Sequence, residues 1–225
     1  MSLVEVTIIL AVFAVLTAVA APSIGGYMND AAAAKAKADV EAIGSALSRM
    51  LVDTGEPWVL RNGNGGGPTV APTRDAANRV DLLASNGATP AVAVTRLSGT
   101  TDWDDPVGID EVQRLEYFLV ENTPSGSSAN GYRTAENVPG GFQSSDFGWR
   151  GAYLPGPIGP DPWGNRYAVN VEFLAKALGA GPSGNVNDVF VVSAGANRRL
   201  ETRFDTDGVT AGGDDLIFVV SGGTR

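Results

Sequence analysis

Residues 6–29 carry no charged side chain, and this stretch constrains the fold of the chain more than any other feature. From Val6 to Ala21 it is almost wholly apolar, with Thr7 and Thr17 as the exceptions. As a helix, a run of this length spans about 24–35 Å, close to the thickness of a bilayer's hydrocarbon core. A cleaved signal peptide carries a basic segment before its apolar core, whereas Glu5 is the charged side chain that precedes this one. Lipid or other apolar surface must therefore cover this helix.

The residues that follow predict a continuation of the helix, but with a single apolar face. Between Tyr27 and Asp53, apolar side chains recur at spacings of three and four, the pattern of an amphipathic helix. They are Val40, Ile43, Leu47, Met50 and Leu51. We predict one long helix over residues 1–54, hydrophobic over 1–25 and kinked near Pro22, where proline removes a backbone hydrogen bond. Its C-terminal half is expected to lie on a globular head while its N-terminal half projects.

The rest of the chain, residues 55–225, predicts the globular head. Its middle, 56–148, reads as loop-rich, and 149–225 reads as a C-terminal sheet with an acidic loop. The 29 glycines and 13 prolines of the chain favour abundant loops. The predicted strands lie at residues 166–173, 188–193 and 215–221. The expected fold class is α+β, with a small antiparallel sheet packed against the amphipathic half of the long helix.

The composition excludes several classes of function. The chain contains neither cysteine nor histidine, so disulfides, thiolate or imidazole metal sites and a Ser-His-Asp relay are absent. Its net charge of −9 and isoelectric point near 4.5 argue against nucleic acid as a partner. We therefore expect a protein that is not an enzyme and that presents an acidic surface.

Glu5 needs an explanation, because an unpaired carboxylate beside an apolar helix is costly. The first basic side chain is Lys35, about 45 Å further along a helix. The positive charge at the depth of Glu5 is the α-amino group of Met1, and the amine of a neighbouring copy is better placed than the chain's own. Such a pairing would set the axial register between copies. A head-to-tail contact of this kind does not close, so it builds a filament.

The opening residues carry a family resemblance. The segment MSLVEV, followed by an apolar run that ends at Ala21 and Pro22, resembles the mature N-terminus of type IV pilins and of type II secretion pseudopilins. In those families a glutamate and a proline stand where Glu5 and Pro22 stand here. The first residue there is usually phenylalanine, so Met1 departs from the pattern and leaves open that it is an initiator.

The resemblance implies a life cycle as well as a fold. A prepilin peptidase would remove a leader and expose the Met1 amine, which is usually methylated in these families. The subunit would wait in the bacterial inner membrane and then join a helical homopolymer on an inner-membrane assembly platform. The product would be a periplasmic or extracellular filament, with Met1, Glu5 and Pro22 as its assembly residues.

A second resemblance lies near the start of the predicted sheet. The segment DPWGNRY, residues 161–167, is similar to the DPWGxxY segment of the major pseudopilin of type II secretion. Physically, Asp161 to Asn165 make a tight turn, and Trp163 is available to cover the edge of the core. We interpret this segment as a structural turn, with no catalytic role for Asp161.

Four carboxylates lie close together in the sequence near the C-terminus. They are Asp205, Asp207, Asp214 and Asp215. Oxygen ligands among glycines suit Ca²⁺, although Leu216 stands where an EF-hand loop requires glutamate. Major pseudopilins carry a Ca²⁺ in a loop between their last strands, often with Asp where this chain has Asn197. The alternative is that Arg198 and Arg199 neutralise the acids and Asx turns hold the loop.

Two functions from different classes follow from these observations. The first is a structural filament subunit, in which an acidic head caps an apolar assembly helix. The second is a membrane-anchored monomer that acts as a calcium-binding module or as a hydrolase. A further acidic group, Asp102 with Asp104 and Asp105, is interpreted as a solvated turn. Glu5 separates the two functions, because a filament needs it and a monomeric module does not.

Overall fold

The first element of the chain is a single long helix. The computed structural model describes residues 2–56, 58–63, 78–97, 102–103, 113–134, 147–178 and 187–221, without the side chains of residues 19–24, 175–178 and 221. Helix α1, Leu3–Thr54, is continuous over 52 residues. Ser2 caps its N-terminus, and Gly55 ends it with a left-handed φ of 65°. The predicted long helix is confirmed. The kink predicted near Pro22, whose side chain lies outside the described residues, stays a prediction.

Short strands form the sheet of the head. They are β1 (Leu83–Ala84), β2 (Ala91–Val92), β3 (Gln113–Arg114), β4 (Ala168–Val169), β5 (Val189–Ser193), β6 (Arg199–Leu200) and β7 (Leu216–Ser221). Five of them make one sheet in the order β3-β1-β4-β5-β7, in which β1 and β3 are parallel and the other neighbours antiparallel. Strands β2 and β6 form a separate parallel pair. The α+β fold with a small, mostly antiparallel sheet is confirmed.

The C-terminal half of α1 packs on this sheet through the predicted apolar stripe. Val40, Ile43, Leu47 and Met50 are buried, and Leu51 is partly buried against the same core. The face contacts β5 and β7, the two longest strands. Gly44 permits the close approach, because a Cβ added there would lie 2.2 Å from Cδ1 of Phe218 on β7. The missing side chain thus lets an aromatic ring lie directly on the helix.

The predicted strand over residues 166–173 is mostly wrong. Only Ala168–Val169 pairs as a strand, and Val171–Leu178 forms a 3-10 helix. The intervening Asn170 is fully buried and binds backbone groups with its side chain. Its amide nitrogen donates to the carbonyls of Asp188 (2.9 Å) and Phe204 (2.8 Å), and its oxygen accepts the N–H of Phe190 (2.8 Å). The side chain therefore takes over backbone partners that a longer strand would pair with.

The middle of the chain contributes more to the core than its loop-rich composition predicts. It supplies β1, β2 and β3, together with the short helix α2, Leu115–Leu119. Leu115, Phe118 and Leu119 of this helix are fully buried. Trp103 is also fully buried, edge-on to Phe190 and Phe204, and its indole N–H donates to the carbonyl of Thr202 at 2.9 Å. The middle and the C-terminal part of the head thus share one core.

Candidate assembly helix, acidic loops and helix-side groove

The N-terminal half of α1 presents apolar side chains that no described part of the chain covers. Its large exposed hydrophobic residues are Leu3, Val4, Val6, Ile8, Ile9, Leu10, Val12, Phe13, Val15 and Leu16, with 40–83% of their surface accessible. A continuous apolar surface of this extent marks a site of interaction with protein or membrane. Among the residues that the structure describes, no helix is both long enough and apolar enough to cross a membrane.

Polar groups in this half of the helix are satisfied from within. The hydroxyl of Thr7 donates to the carbonyl of Val4 at 2.9 Å, and that of Thr17 donates to the carbonyl of Phe13 at 2.8 Å. Both threonines therefore direct their hydroxyl hydrogen bonds back to the helix. The threonine hydroxyls within the apolar surface of residues 3–18 are thus hydrogen-bonded to the helix itself. They can be buried against another apolar surface without losing a hydrogen bond.

Glu5 has a partner within its own chain, which reasoning from charged side chains alone missed. The backbone N–H of Ser2 donates to Glu5 Oε2 at 2.6 Å, and the N–H of Glu5 donates to Ser2 Oγ at 3.4 Å. This reciprocal pair is a capping box at the start of α1. Its signal was present in the sequence as serine followed three residues later by glutamate. Of the other two assembly residues, Met1 and the side chain of Pro22 lie outside the described part of the chain.

Among the four predicted calcium ligands, Asp215 has a buried carboxyl whose surroundings shift its pKa. It is buried, and its Oδ2 accepts the backbone N–H groups of Glu201 (2.8 Å) and Thr202 (2.6 Å). Its Oδ1 is buried and has no hydrogen-bond partner among the described residues. Burial raises the pKa of the Asp215 carboxyl; the nearby charge of Glu201 adds to this rise, which the bonds from Glu201 and Thr202 oppose. A proton on Oδ1, or a cation beside it, would satisfy this buried oxygen.

The second predicted ligand, Asp214, is exposed and joins the same neighbourhood. Its Oδ2 accepts the N–H of Asn197 at 2.9 Å, and the Asn197 side chain donates to Glu201 Oε2 at 2.8 Å. The loop after β5 and the turn before β7 therefore meet at Asn197, Glu201, Asp214 and Asp215. Sequence reasoning missed Glu201, because it stands outside the Asp- and Gly-rich segments that drew attention to this region.

The other two predicted ligands lie elsewhere. Both oxygens of the buried Asp205 accept the N–H of Leu97 at 3.0 Å. The guanidinium beside Asp205 belongs to Arg96, which also pairs with Glu172 at 2.6 and 2.9 Å. Asp207 is exposed. An arginine therefore does accompany one acid of this region, but from the middle of the chain.

The four carboxylates consequently do not form one ligand set in this structure. In the described residues, no three or more acidic side chains are arranged to hold a metal ion. The unpaired oxygen of Asp215 suits a cation, but the converging donors that Ca²⁺ requires do not accompany it. The geometry does not fit a built calcium site, and Ca²⁺ stays a prediction.

The DPWGN segment forms the tight turn that its residues predict. Asp161 is buried, and its Oδ1 accepts the N–H groups of Trp163 (3.0 Å) and Asn165 (2.8 Å). Its Oδ2 accepts the hydroxyl of Ser193, at the end of β5, at 2.8 Å. Gly164 supplies a positive φ of 92° within the turn. Asp161 thus fastens the turn to the sheet, which is a structural role.

A groove of about 480 Å³ runs between α1 and the segment Leu154–Pro160. Apolar and proline side chains make most of its wall, and Lys35, Asp39 and Tyr167 also line it. The Tyr167 hydroxyl donates to Asp39 Oδ2 at 2.7 Å, and Lys35 Nζ donates to the same oxygen at 2.5 Å. Burial and the neighbouring Asp39 raise the pKa of the Tyr167 phenol, which therefore keeps its proton. Asp39 thus ties the helix to the turn that ends at Tyr167.

Comparison of the chain with protein-family models, with curated proteins and with solved structures finds no match. The architecture itself is clear: a long N-terminal helix packs by its C-terminal half against a mostly antiparallel sheet. Roles for individual residues therefore rest on the geometry described above and on the resemblance of the opening residues.

Proposed function

We propose that this chain is the structural subunit of a helical filament, similar to a type IV pilus or a type II secretion pseudopilus. One observation carries the proposal: a single continuous helix is buried along one face by the head, yet is exposed and apolar over residues 3–18. Burying a large aliphatic side chain contributes about 1.5–3 kcal/mol. The exposed half therefore has a strong driving force to pack against copies of itself.

The proposed filament places these helices in its centre and the heads outside. The net charge of −9 then lies mainly on the outer surface, where water and salt screen it. Before assembly, the same apolar half would hold the subunit in the bacterial inner membrane. A prepilin peptidase and an inner-membrane assembly platform are the partners that the resemblance implies. This role assigns no catalytic activity and no nucleic-acid partner to the chain.

In this proposal, Glu5 pairs with the Met1 amine of a neighbouring subunit. The capping box gives Glu5 a second role, because the same carboxylate accepts the N–H of Ser2 at 2.6 Å. Replacing Glu5 by alanine would remove both interactions and could not separate them. Glutamine retains an oxygen for the Ser2 N–H and is the other residue that capping boxes use, but it carries no charge.

Three variants of the full chain therefore test the proposal by negative-stain microscopy of fibres. Glu5→Ala is expected to abolish fibres, and Glu5→Gln is expected to abolish them as well, because the ion pair with the neighbouring amine is lost. Ser2→Ala removes its hydroxyl contact in the cap, a change of about 0.5–2 kcal/mol in helix stability, and is expected to retain fibres.

The outcomes separate the two roles of Glu5. Fibres from Glu5→Gln but none from Glu5→Ala would assign Glu5 to capping and contradict the ion pair. Normal fibres from both variants would contradict the assembly role altogether. An absence of fibres from the unaltered chain, in cells that carry the assembly machinery, would contradict the filament itself.

The alternative function is a membrane-anchored monomeric calcium-binding module or hydrolase. The unpaired buried oxygen of Asp215 favours the calcium-binding version, because a bound cation would satisfy it. No comparable observation favours a hydrolase. The same calcium could also stabilise the head of a filament subunit, so the metal alone does not decide between the functions.

Asp215 makes a pH and metal test possible. Because its folded pKa is raised, its contribution to the free energy of unfolding is full below the ordinary pKa of 3.8 and is lost as pH rises through the folded value. Asp215→Asn should remove this dependence. The calcium-binding alternative predicts that at neutral pH Ca²⁺ raises the melting temperature of the unaltered chain and of Asp207→Asn, but not of Asp215→Asn. Equal melting temperatures with and without Ca²⁺ in all three would rule out the calcium site.

A further inference from the structure

We propose that the groove between α1 and Leu154–Pro160 is the docking site for residues 27–30 of another copy of this chain. This inference rests on the proposed filament and adds a specific contact between heads to it. The groove is open, has a volume of about 480 Å³ and has a wall of apolar and proline residues. Its polar end consists of Lys35 and Asp39 of α1.

The occupant is identified by what α1 leaves uncovered just below the head. Tyr27 and Met28 are 75% and 68% exposed. They lie on α1 after the apolar run that ends at Ala21. Asp30 follows them and is exposed as well. A tyrosine and a methionine suit an irregular apolar groove, because one combines a ring with a hydroxyl and the other has a flexible thioether.

The charges of the two surfaces are complementary. Lys35 already binds Asp39, yet 61% of its side chain is exposed, and its ammonium has three donors. Asp30 of the incoming copy would bring a carboxylate to this ammonium while Met28 covers the apolar wall. The contact would place an ion pair at the rim and apolar atoms at the centre, the usual arrangement of a protein interface.

The register of the proposed filament brings these surfaces to the same height. If Glu5 meets the amine of the next copy's first residue, that copy is displaced towards the heads by about four residues, or about 6 Å. After two or three such steps, residues 27 and 28 of a copy stand level with about residues 35–40 of the first. That is the part of α1 that lines the groove, from Lys35 to Ile43.

Thiol cross-linking tests this contact, since the chain contains no cysteine of its own. Met28→Cys goes into one batch of subunits and Gly156→Cys into another, so that a mixed product forms only between copies. A Cβ added at Gly156 meets no atom of the described residues within 4 Å, so a substitution at this position in the groove wall is mild. Thr210→Cys, an exposed position outside the groove, replaces Gly156→Cys in the control.

Co-assembled fibres are treated with a short bismaleimide, dissolved and analysed by gel electrophoresis. The proposal expects a covalent dimer from the Met28→Cys and Gly156→Cys mixture and none from the Met28→Cys and Thr210→Cys mixture. Fibres that give no dimer with Gly156→Cys, or the same dimer with Thr210→Cys, would overturn the groove contact while leaving the filament intact. A cysteine-free chain that forms no fibres would overturn both the filament and the contact that depends on it.

Discussion

The two halves of α1 share one backbone and differ in what covers them. Over residues 36–50, the helix carries an apolar stripe that the sheet buries, and its other faces are polar or small. Over residues 3–18, apolar side chains surround the helix and are exposed, with no cover from the residues that the structure describes. A helix that is apolar on one side is built for one partner surface, whereas one that is apolar all round needs partners on every side. The N-terminal half of α1 therefore needs other molecules to cover its apolar surface, whereas the C-terminal half is covered by the head of its own chain.

The sharpest test of this comparison replaces a leucine by alanine in each half. Leu47→Ala removes a fully buried side chain from the core and is expected to lower the free energy of unfolding of the head by about 2–5 kcal/mol. Leu10→Ala removes a side chain that is 62% exposed and should leave the stability of the head unchanged. Chemical denaturation of both variants in mild detergent, followed by tryptophan fluorescence, provides the measurement.

The yield of fibres should depend more on Leu10 than on Leu47, the reverse of their effects on head stability. Leu10→Ala is expected to reduce the yield of fibres, while Leu47→Ala should affect them only through loss of folded subunit. A large loss of head stability in Leu10→Ala would mean that residues 3–18 pack on the head, and would contradict the division of α1 into two differently covered halves.

Sequence reasoning predicted this division because hydrophobic periodicity is a local signal. The spacing of Val40, Ile43 and Leu47 identifies the buried face without knowledge of the sheet. The capping box is an equally local signal. The prediction considered only the charge of Glu5 and therefore missed its hydrogen bond to the Ser2 N–H. Helix α1 was therefore largely predictable, including its end at Gly55.

The strand at residues 166–173 and the acidic loops were harder, for a different physical reason. Asn170 interrupts the strand because carbonyls from two distant segments meet its side chain, and no local pattern reports their positions. Asp205 is likewise held by Leu97, more than a hundred residues earlier in the chain. Where long-range hydrogen bonds decide the structure, spacing in the sequence groups residues that the fold then separates.

Replacing a glycine by alanine in each half of α1 tests the same difference between the covered and the exposed half, with a smaller expected effect. Gly44→Ala places a Cβ 2.2 Å from the Phe218 ring, so the ring must move, and we expect a loss of about 1–3 kcal/mol in the free energy of unfolding. A Cβ added at Gly25 meets no atom of the described residues within 4 Å, and in Gly25→Ala the helix propensity of alanine should favour α1 by up to about 1 kcal/mol. Urea denaturation of both variants measures the difference for the head, and circular dichroism in detergent follows the helix. Since the sheet covers Gly44 and none of the described residues covers Gly25, the two substitutions should have opposite signs. Equal effects would show that helix propensity dominates both positions, and that the close packing of Phe218 on α1 contributes little.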